Sequence, residues 1–150
     1  MQGDKFYYVN DSLHKDNGPA IEYVNGDKVY CKHGVFHREN GPAVECNDGD
    51  KRWYKNGLLH REDGPAVEYH DGEKHWYINN KLHRDDGPAI IRVNGSKFWF
   101  KNDKLHRIDG PAEEFVDGDK RWYLNGIFYG HNNDFSISSW KFFVNTLIFS

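Results

Sequence analysis

The chain reads as an all-β protein: an elongated, twisted, single-layer ribbon of tandem 23-residue β-hairpin repeats with a short C-terminal capping helix. Three observations predict this. Gly-Pro-Ala begins at residues 18, 41, 64, 87 and 110, always 23 residues apart, so one supersecondary unit is copied without insertion or deletion. Every copy carries an Asx-Gly pair (Asn25-Gly26, Asp48-Gly49, Asp71-Gly72, Asn94-Gly95, Asp117-Gly118) between short segments rich in Val, Tyr, Trp and Phe, which is a hairpin signal. Mean hydropathy is −0.90 although 16% of the residues are aromatic, so burial must be thin and linear, as it is in stacked repeats.

The unit reads D-G-x-K-x-W-Y-x-N-G-x-L-H-R-x-D-G-P-A-x-E-Y-x. It organises the chain as one domain, with a half repeat at 1–14, hairpin repeats at 15–128 and a C-terminal cap at 129–150. A two-residue type I′ turn at Asp71-Gly72 predicts that residues 69/74, 68/75 and 67/76 face one another. At the 68/75 position Glu45 then meets Arg52, Glu68 meets His75, Glu114 meets Arg121, and Ile91 meets Phe98, as coupled cross-strand pairs would. Period-two alternation puts Val67, Tyr69 and Trp76 on one face and Ala66, Glu68, His75 and Tyr77 on the other. The Trp face is expected to be the packed one. Residues 79–88 read as a connection, with proline confined to the start of the next strand. In the tail, Ile137, Trp140, Val144, Leu147 and Ile148 recur at helical spacing behind Asp134 or Ser136 as N-cap, predicting a helix that seals the last hairpin.

The W-Y-x-N-G-x-L-H pattern followed by G-P-A and an Asp-Gly turn resembles a divergent MORN-type repeat. The L-H-R-x-D-G-P-A form is similar to tandem-repeat proteins of large DNA viruses and tailed phages. The resemblance covers residues 1–128 and implies a ribbon of hairpins serving as a protein-binding, dimerising or membrane-associated scaffold. This chain departs from MORN units by inserting Arg-x-Asp before Gly-Pro-Ala, and fold does not dictate function.

Twenty basic and 23 acidic side chains are interleaved for a net charge of −3, which disfavours nucleic-acid binding through a basic stripe. The start, Met1-Gln2-Gly3-Asp4-Lys5, has no apolar leader, and no apolar run reaches bilayer-spanning length. The expectation is a soluble cytoplasmic chain, in the host cytoplasm if viral, whose Cys31 and Cys46 are free thiols.

Several groups invite a chemical reading. His14, His37, His60, His83 and His106 form a column, but successive copies lie about 9–10 Å apart at ~4.8 Å per strand. Two imidazoles on one zinc must each lie within about 2.1 Å of it. The column therefore reads as structural, each His bonded within its own turn. Cys31, His33, His37 and Cys46 have the composition of a zinc site without its C-x-x-C spacing, and no metal or cofactor is predicted. In the fourth hairpin Ile91, Phe98 and Phe100, rimmed by Arg92, Lys97, Lys101 and Lys104, read as a partner-binding patch. Residues 84–106 hold five cations and three anions, whereas 61–83 and 107–129 each hold three cations and five anions. The same patch could instead lie under the folded-back C-terminal segment. Phe142, Phe143 and Phe149, off the helical stripe, are a second candidate contact, and an edge-to-edge homodimer through residues 5–9 is a third.

The function these features point to first is a non-enzymatic protein-binding scaffold or inhibitor, read with the resemblance as a virus or phage factor directed at a host or defence protein. Sequestration of a small anionic ligand or nucleotide by Arg92, Lys97, Phe98 and Phe100 comes second. An enzyme using His and Asp of one connection comes third, because no triad, phosphate-binding loop or paired-carboxylate motif stands out.

Overall fold

The computed structural model describes residues 3–148 and resolves into two compact units, 1–81 and 82–150. Both are built from the same repeat. In the first unit Lys5–Phe6, Ile21–Glu22, Lys28–Val29, Val44–Glu45, Lys51–Arg52, Val67–Glu68 and Lys74–His75 lie side by side in that order. In the second, the order is Ile90–Ile91, Lys97–Phe98, Glu113–Glu114, Lys120–Leu124 and Ile127–His131. The repeats also carry a second, outer hairpin, such as Tyr54–Lys55 with Leu58–Leu59 and Phe100–Lys101 with Lys104–Leu105.

The two kinds of turn correct the expected register. It is the outer hairpin, within the segment read as a connection, that uses the two-residue type I′ turn: Asn56 and Gly57 have φ of 53° and 79°, and Asn102 and Asp103 have 51° and 64°. At the sheet hairpin only the glycine is left-handed, with Gly72 at φ 96°. There Gly72 N–H donates to Tyr69 O at 3.0 Å and Tyr69 N–H to Glu73 O at 3.0 Å, which closes a three-residue loop ending in a glycine bulge. Asp71 serves it differently. Its Oδ1 accepts the Glu73 N–H at 3.0 Å, and Asn25, Asp48, Asn94 and Asp117 make the same bond two residues on.

One extra loop residue slips the pairing by one position and turns the second strand over. Glu68 faces Lys74 and Val67 faces His75, so the expected 68/75 pairs do not exist. Glu22, Glu45 and Glu114 likewise face Lys28, Lys51 and Lys120, whereas Ile91 faces Lys97 and Ile90 faces Phe98. The predicted faces change accordingly. Val67 now shares a face with His75, whose ring meets Tyr69 edge-on at 5.3 Å.

Apolar burial in the first unit follows this second face, in a cluster of Ala20, Ile21, Val29 and Cys31 with Leu13 and Val44 against it. The Trp side is closed by cations instead. Lys15 lies 3.6 Å over Tyr7, Arg38 3.7 Å over Tyr30, Arg61 4.1 Å over Trp53 and, in the second unit, Arg107 3.9 Å over Trp99. Each such contact is worth roughly 0.5–2 kcal/mol. Arg61 also donates to Asp63 at 2.9 Å, to the Pro65 carbonyl at 3.2 Å and to Glu68 at 3.0 Å. One side chain thus explains R-x-D-G-P-A-x-E: a Cβ on Gly64 would stand 2.8 Å from Arg61 Cζ, and Ala66 is fully buried behind it.

The helix Ile137–Ile148 caps the last hairpin. Ser136 begins it by accepting the Ser139 N–H at 3.1 Å, while its own N–H donates to Ser139 Oγ at 2.9 Å. Trp140 and Val144 are buried with Trp122 and Leu124, and Trp140 Nε1 donates to Arg107 O at 3.1 Å. Ile137 and Leu147 flank the buried stripe and stay partly exposed. Among the described residues no helix is long and apolar enough to cross a membrane.

Candidate functional site

The repeated polar residues are bonded into the ladder. At the outer turns, His14, His37 and His106 accept through Nδ1 the N–H of His33, Asn56 and Asn125, at 3.0–3.2 Å. His60 and His83 place Nδ1 2.9–3.0 Å from Oδ1 of Asn79 and Asn102. Each imidazole therefore reaches the turn of the following repeat through Nδ1, a contact that the spacing did not suggest. The expected bond within the connection is made by the other ring nitrogen. His14, His60 and His83 reach Asp16, Glu62 and Asp85 through Nε2, whereas Asp63, Asp86 and Asp109 take the neighbouring arginine. In the last repeat Ile108 stands where that acid would be, and burial pushes the His106 pKa down.

At the sheet turns, Asp4, Asp27, Asp50 and Ser96 accept the N–H of Val24, Asn47, His70 and Val116 one repeat on. Asp50, His70 and Asp48 are the one group of potential metal donors among the described residues whose ligating atoms come within 4.8 Å of one another. Asp50 Oδ1 already accepts both the His70 N–H at 2.9 Å and His70 Nδ1 at 3.1 Å. The bond holds Asp50 below the usual carboxylate range and raises His70. Cys31, His33, His37 and Cys46 are not brought together as a donor group. Cys31 is buried in the apolar cluster, and burial raises both thiols above the ordinary value.

The predicted fourth-hairpin patch is split by the register. Ile91 and Lys97 face each other, while Phe98 faces Ile90, only 5% exposed, with its ring edge-on to Phe115 at 5.4 Å. Arg92 lies 4.6 Å over that ring, and Phe100 is half-buried opposite Leu105. The C-terminal helix packs on Trp122, in the following repeat. Of the tail residues, Phe143 stacks into the cap against Tyr129, Phe135 and Trp140, whereas Phe142 is 76% exposed. Phe149 lies outside the described residues.

Two features escaped the sequence reading. In the column held by Ile21, Val44, Val67 and Ile90, the last repeat has Glu113, buried with Oε2 unpartnered and 3.7 Å from Arg121 Nη1. Desolvation raises its pKa despite that arginine. The switch from aliphatic to acid is visible once the copies are aligned in their true register. The other feature is a pair of grooves on the first unit. One of about 560 Å³ lies between the 14–18 and 37–40 segments with Tyr30 between, and one of about 580 Å³ lies between 37–41 and 60–63 with Trp53 between. They share the wall formed by His37, Arg38, Glu39 and Asn40. No family model matches this chain, and no curated protein matches it either.

Proposed function

We propose that the protein is a non-enzymatic scaffold that binds another protein. The observation that carries this reading is the use of its polar repeat: the His, Arg and Asp of each connection are committed to bonds that build the ladder, so their recurrence needs no reaction to account for it. Outside those bonds the second unit presents apolar surface: Phe142, Ile137, Ile127 and Phe128 are each half or more exposed. Large exposed aromatic and aliphatic side chains supply affinity when desolvated by a partner. The resemblance of the L-H-R-x-D-G-P-A units to viral and phage repeat proteins favours a host or defence protein as that partner, met in the host cytoplasm. A photo-crosslinking residue placed in turn at positions 36, 92 and 142 tests the reading. A discrete adduct that weakens about tenfold in Phe142→Glu is expected. Absence of any discrete adduct from all three positions in host lysate would remove the scaffold reading.

A further inference from the structure

The grooves of the first unit carry an inference about partner chemistry, and it rests on the scaffold reading above. Their wall cations are already committed. Lys15 pairs with Glu22 at 3.3 Å, Arg38 with Glu45 at 2.7 Å and Arg61 with Glu68 at 3.0 Å, each also lying over an aromatic ring. The acids of the connections keep their carboxylates open to solvent even where they meet His14, His60 or Arg61: Asp16 is 85% exposed, Glu39 75%, Glu62 74% and Asp63 84%. Lys32 and Lys55 approach Glu39 and Glu62 at 4.0 and 3.5 Å. Those are solvent-exposed pairs worth little, which a ligand's cation can displace. With the committed pairs cancelled, one cation remains against two acids in the first groove, and one against three in the second.

Pitch adds a second constraint. Successive repeats are two strand spacings apart, about 9.6 Å, and three residues of a polyproline II chain rise about 9.3 Å and return the side chain to the same face. We propose that these grooves bind a polypeptide segment in the polyproline II conformation carrying a lysine or arginine at every third residue, its cations meeting Asp16, Glu39 and the Glu62–Asp63 pair in turn.

Fluorescence anisotropy with labelled peptides of about twelve residues, four of them lysine and the rest Gly and Ser, tests this on the unaltered protein. The peptide with lysine at every third position is expected to bind about fivefold tighter than permutations of the same composition in about 50 mM salt, and to weaken as salt rises. Its Glu-for-Lys counterpart is expected not to bind. The triple variant Glu39→Gln/Glu62→Gln/Asp63→Asn is expected to lose about fivefold in affinity while melting within about 2 °C of wild type. Equal affinity for all permutations, an unaffected triple variant, or no binding would each overturn the proposal. Peptide silence with the position-142 adduct intact would remove the groove alone, whereas loss of every adduct would remove the scaffold.

Discussion

Glu113 shows how much one side chain can depart from a repeat without disturbing it. Its four counterparts are Ile or Val, and the backbone pairing of Glu113 with Arg121 is the same as that of Ile90 with Phe98. Glu113 is 9% exposed, and one of its carboxyl oxygens has no hydrogen-bond partner, an arrangement that costs free energy whenever the group is ionised. Because burial raises its pKa above the ordinary 4.5, the folded chain holds the proton more tightly than the unfolded chain does. The stability this group contributes is therefore fully present below about pH 4.5 and is lost as pH rises through the raised folded value. Glu113→Val is expected to stabilise the protein by about 1 kcal/mol at neutral pH and to flatten the decline in that window. Urea midpoints measured from pH 4 to pH 8 would show both, and an unchanged pH slope would contradict the assignment.

Both hairpins of each repeat are announced by a turn dipeptide, Asx-containing everywhere but at His33-Gly34, and the two kinds of turn use it differently. At Asn56-Gly57 the first residue itself is left-handed, whereas at Asp71-Gly72 the aspartate is not, and acts by accepting the Glu73 N–H. The presence of hairpins, their spacing, the Ser136-capped helix and the structural role of the His column were legible, because glycine placement, periodicity and geometry bear on them directly. Register was not. A two-residue type I′ turn and a three-residue loop with a glycine bulge accept the same Asx-Gly pair, so the dipeptide alone cannot choose between them. The second row of Asn10-Asp11, His33-Gly34, Asn79-Asn80 and Asn102-Asp103 was the available sign that the tight turn lay elsewhere. The one-residue error is also why Phe98 was placed on an exposed patch. Substitution separates the two turns: Asn56→Val is expected to cost roughly 1–2 kcal/mol through left-handed strain, and Asp71→Val about 0.5–1 kcal/mol through one lost bond. Chemical denaturation giving the reverse order would restore the original register.

For the molecule as a whole, the 23-residue period acts as a mechanical constraint. Removing residues 53–75 joins Arg52 to Trp76, keeps the alternation of faces and leaves Arg107 over Trp99. Removing 53–74 joins Arg52 to His75 and turns every following sheet residue to the wrong side. The 23-residue deletion is expected to retain a β-type circular dichroism spectrum and a cooperative melt, and the 22-residue deletion to lose the sharp transition. Comparable melts for the two would mean that the period is not what holds the faces in place. The bonds from His14 to His33, His37 to Asn56, Asp27 to Asn47 and Leu59 to Asn80, which join one copy to the next, bridge 19 to 21 positions of chain. Few contacts need wait for distant sequence, so a nascent chain leaving the ribosome can lock each copy onto the one already formed, assembling in the order of its synthesis.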